Sequence, residues 1–243
     1  MNRSPAIWPK IIPPMTPEQR IARENFMKLW HEELPRKYSA IEDFNHGFSV
    51  NLGLPPTSDG KCKTLEIGAG LGGHLPFENL ELQDYYCLDY REEFCKVLRT
   101  RMDPARVLCG DIQTRLPWND NTFDRIVSIH ILEHLTDLPK ALDEVSRLLK
   151  PDGVFDVVIP CEGGVAYSLA RRISAQRLFE KNFKMSYTPI IRAEHLSSFS
   201  EIVTELAKMF EIKESQYFPL RIPIPTINLV MGLRLKKRTD NNP

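Results

Sequence analysis

The run Thr64-Leu65-Glu66-Ile67-Gly68-Ala69-Gly70-Leu71-Gly72-Gly73 constrains this chain more than any other stretch, because a short apolar strand enters glycines where its backbone has to turn. Without a Cβ, glycine reaches backbone conformations closed to other residues and lets a ligand approach the main chain closely. A helix N-terminus behind such a turn would add unpaired amides that suit a polar or anionic group. Gly68, Gly70 and Gly73 also spell G-x-G-x-x-G, a pattern with a dinucleotide reading when a strand precedes it and a helix follows. The stretch predicts a nucleotide-type site at the end of a buried strand.

The 243 residues suit one domain, or one domain with additions, around a single substantial core. Lys plus Arg and Asp plus Glu stand at 32 each, and such a balance argues against a dedicated nucleic-acid binder, which needs a basic excess to neutralise phosphates. The cysteines, Cys62, Cys87, Cys95, Cys109 and Cys161, are odd in number and form no C-x-x-C pair. That usage fits reduced thiols rather than a disulfide framework or a zinc cluster, so no metal is expected. No apolar run reaches membrane-spanning length, and the N-terminus lacks the apolar core of a signal peptide. A cytoplasmic protein with no membrane span and no nucleic-acid partner is the expectation.

Residues 1–58 read as an arm and a capping helix, and 59–243 as the main domain. Pro5, Pro9, Pro13 and Pro14 keep the arm out of regular structure, leaving it mobile or draped. Thr16-Pro17-Glu18-Gln19 starts a helix that should run to about Glu33, with Ala22, Phe26, Leu29 and Trp30 on one face and Leu34-Pro35 ending it. Asp43 to Phe48 falls in the following connection and carries no clear pattern. From Lys63 onward strand, turn and helix alternate, the signature of a parallel sheet with helices on both faces. Strands are expected at Tyr85–Leu88, Ala105–Cys109, Phe123–Ile129 and Val154–Pro160, then at Glu211–Phe218 and Thr226–Leu235. Asp89 closes the second strand, where an acid can accept both hydroxyl hydrogens of a ribose, and Tyr90 follows in reach of an adenine.

Glu66 to Gly72, Asp89, Gly110-Asp111, Leu116-Pro117, Phe123-Asp124 and Leu148-Leu149-Lys150-Pro151-Asp152-Gly153 fall in an order and spacing that resembles class I S-adenosylmethionine-dependent methyltransferases. The likeness covers roughly residues 60–160 and is closest to the small-molecule branch, similar to quinone-biosynthesis methyltransferases of the type 11 domain. Pro-Asp-Gly stands where Pro-Gly-Gly is more usual. The acid at Glu66, two places before the first glycine, favours this cofactor over a dinucleotide, whose folds usually carry an apolar residue there. The resemblance implies a Rossmann-like, seven-stranded, mostly parallel sheet with its last strand antiparallel beside strand five. It also implies an N-terminal helical extension and a helical insertion after strand five, at 165–195. Glu66, Gly68, Ala69, Gly70 and Gly72 would hold the methionine end of S-adenosylmethionine, Asp89 and Tyr90 the nucleoside, and Asp111 with Ile112 the adenine.

His130-Ile131-Leu132-Glu133-His134 matches the metalloprotease expression H-x-x-E-H, but that signature needs an established helix and this segment straddles a strand exit. In the family it resembles, the segment borders the methionine half of the cofactor and the mouth of the acceptor pocket. His130 is therefore a candidate for cofactor contact and for the base, while Glu133 and His134 would secure the loop. Arg192-Ala193-Glu194-His195-Leu196 resembles a segment at the acceptor pocket, making His195 the second candidate base. Arg171, Arg172, Arg177, Lys181, Lys184 and Arg192 outnumber the acids of the insertion, which makes it either a solvated face or a basic lid for an anionic acceptor.

The expected activity is methyl transfer to an O, N or C nucleophile of a small molecule. A positive sulfur already activates the donor, so catalysis needs mainly alignment, exclusion of water and, for a tightly held proton, a base. Methylation of RNA or protein is the alternative, although no Asn-Pro-Pro-Tyr or Asp-Pro-Pro-Tyr follows strand four. A binding module that has kept the fold without turnover is a third reading, and a dinucleotide oxidoreductase a fourth.

Overall fold

A computed structural model describes residues 6–37, 39–57 and 60–238. Seven strands form one sheet in the order β3-β2-β1-β4-β5-β7-β6. β1 (Cys62–Ile67), β2 (Gln83–Asp89), β3 (Val107–Cys109), β4 (Phe123–Ile129) and β5 (Leu149–Pro160) run parallel. β7 (Val230–Lys237) inserts antiparallel between β5 and β6 (Phe210–Phe218). The expected seven-stranded α/β fold is what forms, because strands buried on both faces need helices on both faces.

On one face, α4 (Leu138–Leu148) and α8 (Phe199–Met209) cover the sheet. Asp137 accepts the Lys140 amide at the start of α4, and its Leu138, Leu142, Val145 and Leu148 are wholly buried. α8 opens with a capping box between Ser198 and Glu201, so two otherwise unpaired amides are satisfied. α3 (Glu92–Leu98) packs Cys95 and Leu98 against Tyr85 and Cys87 of β2.

The N-terminal part departs from the reading of the sequence. α1 extends over Pro17–Lys37, past Pro35, and the side chain of Trp30 lies outside the described residues. Rather than resting on the sheet, α1 packs Ala22 and Phe26 against the insertion, with Phe26 5.3 Å from Phe179 and 5.6 Å from Tyr187 between ring centroids. The 43–48 segment is helical, part of α2 (Ser39–Asn51). Phe48 of α2 lies flat on β7, where a Cβ on Gly232 would meet its ring at 2.5 Å. Residues 6–16 drape over the domain, where the Lys10 amide donates to the Thr136 carbonyl at 2.7 Å and Lys10 Nζ pairs with Glu201.

Strand boundaries also differ, and β2 is longer than expected, running from Gln83 to Asp89. β3 starts at Val107 because Pro104–Arg106 form a 3-10 turn capped by Asp103. β5 starts at Leu149, carrying Pro151-Asp152-Gly153 within the strand through a register shift against β4. β7 starts at Val230 because Pro225–Ile227 form another 3-10 turn. The insertion is a continuous helical rod, α5 (Val165–Arg171), a π turn (Arg172–Gln176) and α6 (Arg177–Phe183), closed by left-handed Lys184 and followed by α7 (Thr188–Glu194).

Candidate functional site

The carboxyl ends of β1, β2 and β3 converge, as they must in an open parallel sheet, and the predicted cofactor residues lie there. Gly68, Gly70 and Gly72 all take positive φ, at 68°, 56° and 79°. The amides of Gly68 and Ala69 donate to the Leu88 carbonyl, at 2.7 and 3.0 Å, which bends the chain over the end of β2. The Gly70 amide donates to Asp89 Oδ2 at 2.9 Å, and the Arg91 amide to Asp89 Oδ1 at 2.9 Å. The Asp89 carboxylate is thereby fixed in orientation with lone pairs left for a further donor. At Gly70 an added Cβ would meet nothing within 4 Å, so the turn faces open space. At Gly68 it would lie 2.1 Å from Ile131 Cδ1. Those features fit a nucleoside cofactor laid across Gly70 and Asp89.

The Gly110 amide donates to the Asp89 carbonyl at 3.0 Å, which ties the third strand end to the second. Asp111 accepts the Gln113 amide at 2.9 Å, and Ile112 is buried under this turn. Tyr90 is 67 % exposed, with the Arg91 guanidinium over its ring, 5.5 Å from the centroid. Glu66 sits differently from the other predicted residues. It is buried beneath the turn, where Tyr85 Oη donates to its Oε2 at 3.0 Å. Burial pushes its pKa up to about 8 against the hydrogen bond from Tyr85.

A second group of residues forms where β4, β5 and α7 meet. His130 ends β4 in a left-handed conformation, φ 53°, with its Nδ1 3.3 Å from Glu133 Oε1. Leu132–His134 is a single 3-10 turn, so His130 and His134 do not share a helix face. The Glu133 carbonyl accepts the amides of Leu196 and Ser197, at 2.8 and 3.1 Å, and His134 Nδ1 donates to the Glu194 carbonyl at 2.8 Å. Those bonds fasten the strand exit to the end of α7, the part expected of Glu133 and His134.

They also bring His195 against His134, 5.0 Å between centroids and edge-on. His195 Nδ1 donates to Glu162 Oε2 at 2.6 Å, and Arg171 Nη1 donates to Glu162 Oε1 at 2.7 Å. Burial works to lower the His195 pKa, but the Glu162 hydrogen bond and the charges of Glu133, Glu162 and Glu194 outweigh it and raise it above the ordinary histidine value. Glu162, Arg171, Tyr187, Arg192 and His195 line a cavity of about 250 Å³. A neighbouring cavity of about 280 Å³ shares Glu162 and is bounded by Phe199, Pro225 and Thr226.

Glu162 is the functional candidate that sequence reasoning passed over. Its one signal was an acid two residues past the end of β5, at the ligand edge of the sheet. The structure also brings Glu133, His134 and His195 together, one ligand atom of each lying within 4.8 Å of the others, a group able to hold a divalent ion.

Residues 65–157 match a family model described as a methyltransferase domain. A demethylmenaquinone methyltransferase from Leptospira interrogans is 30 % identical over 149 residues, 55 % of this chain and 57 % of that one. A human mitochondrial protein named arginine-hydroxylase NDUFAF5 is 32 % identical over 139 residues, 57 % of this chain and 37 % of that one. The chain spans between 32 % and 38 % of the length of the first curated relatives it matches. A TehB-like S-adenosylmethionine-dependent methyltransferase from Corynebacterium glutamicum shares the fold, with a TM-score of 0.60 and 15 % identity, over 90 % of this chain and all of that one.

Proposed function

We propose that this chain, whose residues 65–157 match a family model described as a methyltransferase domain, transfers a methyl group from S-adenosylmethionine to a nucleophilic atom of a small acceptor seated beside His195. The observation that carries this reading is the pairing of an open, positive-φ glycine turn at Asp89 with an acid-held histidine in a cavity at the same sheet edge. S-adenosylmethionine would supply a methyl group already activated by its positive sulfur.

The Gly68–Gly70 turn and Glu66 would hold the methionine part, Asp89 the ribose, and Asp111, Ile112 and Tyr90 the adenine. Asp89, oriented by the Gly70 and Arg91 amides, is set to accept the ribose hydroxyls without moving. His130 would border the methionine part from the end of β4.

His195 would act as the base. Because Glu162 holds Nδ1–H, the free Nε2 carries the lone pair that takes the acceptor's proton. The Glu162 carboxylate steadies the imidazolium that results, while Arg171 on its other oxygen keeps that carboxylate in place. His130, also an expected base, has Nδ1 beside Glu133 instead and is the weaker choice for this step. Arg192, exposed at the cavity, supports an acceptor bearing a carboxylate or phosphate.

Calorimetric titration with S-adenosylmethionine and S-adenosylhomocysteine, with NADH as control, tests the cofactor. Micromolar binding of both and none of NADH is expected, and radiolabelled methyl transfer to a panel of small anionic acceptors then tests the substrate class. Saturable NADH binding with no binding of either sulfur compound would sink the reading.

A further inference from the structure

We propose that the apolar surface formed by α5, the π turn and the β6–β7 connection docks this protein on the interface of an anionic lipid bilayer. Val165, Leu169 and Ile173 are 75, 57 and 64 % exposed. They recur at every fourth position from α5 into the π turn, so they form one ridge. Leu220, Ile222, Ile224 and Ile227, in the β6–β7 connection, are 49, 44, 46 and 38 % exposed.

The two groups adjoin. A Cβ on Gly164, at the start of α5, would lie 3.0 Å from Thr226 Cα and 3.1 Å from the Pro225 carbonyl oxygen. The connection is also held in shape from within. Asn228 is fully buried, accepts the Leu220 amide at 2.9 Å, and donates to the carbonyls of Ile222 and Ile224 at 2.9 and 3.0 Å. A connection whose backbone is pinned by a buried amide, and whose aliphatic side chains nonetheless face water, presents a formed surface. Contiguous apolar area of this kind marks an interaction site.

Charge selects the occupant. Arg172 stands between Leu169 and Ile173, Arg221 between Leu220 and Ile222, and Arg177 and Lys181 continue the exposed ridge. Among the described residues none of these four has an ion-pair partner, whereas Arg171 is held by Glu162. Glu180 is the sole acid between residues 165 and 192, and it already accepts from Gln176 and the Tyr187 amide. Aliphatic side chains flanked by unpaired cations match the boundary between acyl chains and anionic headgroups. A second copy of the chain fits poorly, because a two-fold contact through this patch would set the same cations against each other. No described helix is long and apolar enough to cross a membrane, so the contact is peripheral. It also stands apart from methyl transfer, and either can hold without the other.

The test is flotation of the full chain with phosphatidylcholine vesicles made with and without phosphatidylglycerol. Binding to the anionic vesicles is expected, weakening as salt is raised. Leu169→Glu and Ile224→Glu should each lower it about tenfold, as expected for losing a large aliphatic group from the contact. Arg172→Gln and Arg221→Gln should each lower it about fivefold. Ile212→Glu, on exposed β6, should leave it unchanged, and thermal midpoints confirm that each variant is folded. Absence of flotation on both vesicle types, or flotation indifferent to Leu169→Glu, overturns the proposal. So does light scattering that finds a dimer which Leu169→Glu turns into a monomer, since the patch would then be covered by another copy.

Discussion

His195 Nδ1 and Glu162 Oε2 lie 2.6 Å apart although the whole helical insertion separates them in the chain. The contact sets the tautomer of His195 and raises its pKa against the effect of burial. A raised folded-state value means that the stabilisation is fully present below the unfolded histidine value, about 6.5. It is then lost as pH rises through the folded one. Proton-detected titration of the His195 ring should give a midpoint above that of an ordinary histidine. Glu162→Gln should bring the midpoint down and, in turnover with an identified acceptor, shift the acidic limb of the rate profile the same way, with kcat lower by about a hundredfold. A midpoint indifferent to Glu162→Gln would take Glu162 out of the site.

Asp89 is the residue on which nucleoside binding should depend most. Its carboxylate is nearly inaccessible and already accepts two amides, so its geometry is set before any ligand arrives. Asp89→Ala should weaken S-adenosylhomocysteine binding by about 1.5 to 3 kcal/mol, the range for hydrogen bonds to a charged group. Calorimetry at constant pH reads this directly, and unchanged affinity would remove Asp89 from the cofactor site.

Gly68 and Gly70 separate folding from binding within three residues. Both have positive φ, so alanine at either costs about 1 to 2 kcal/mol of backbone strain. At Gly68 the new methyl group also collides with Ile131, whereas at Gly70 it enters open space. Gly68→Ala should therefore lower the thermal midpoint more. Gly70→Ala should stay folded and lose most cofactor affinity, because its methyl group occupies the cradle. Equal affinity in Gly70→Ala and wild type would place the cofactor elsewhere.

Legibility in the sequence followed how local each feature's cause is. The glycine turn, β4 and α4 could be read because strand burial, turn chemistry and helical spacing are written in neighbouring residues. α2 could not. It contains Gly47, which disfavours a helix by about 1 kcal/mol, and its reason to form is Phe48 lying on Gly232, far along the chain. The expected seam of α1 was visible in Ala22 and Phe26, but not that it would meet Phe179 and Tyr187 of the insertion rather than the sheet. Glu162 was hidden for the same reason, since an acid after a strand gains its meaning only when His195 returns to it. Glu66 was noticed through a motif, and its burial against Tyr85 follows from a register that pairs Glu66 with Cys87 of β2.

Arg125 gives the prediction with the largest effect on stability. It is wholly buried on β4, donating from Nε to Asp156 Oδ2 at 2.9 Å and from Nη1 to Glu78 Oε1 at 2.8 Å. Arg234 closes the group on the far side, its Nε 2.7 Å from Asp156 Oδ1, and Gln83 Nε2 donates to Glu78 Oε2 at 2.7 Å. Burial alone would raise the Glu78 pKa, but the bonds and charges of His74, Arg125 and Gln83 bring it down to about 2. A depressed carboxylate contributes stability that is present above its unfolded value of 4.5 and is lost as pH falls from there toward 2. Urea unfolding across that window should show stability falling with acid, and Glu78→Gln should flatten part of the slope. Arg125→Met should cost about 3 to 5 kcal/mol at neutral pH, since it leaves the buried Glu78 without its guanidinium and Asp156 with Arg234 alone. Combining Arg125→Met with Glu78→Gln should recover part of that loss, because the carboxylate left without a guanidinium is then gone. If the double variant is no more stable than Arg125→Met alone, the loss comes from packing of the arginine stem, and the ionic account of this face of the sheet fails.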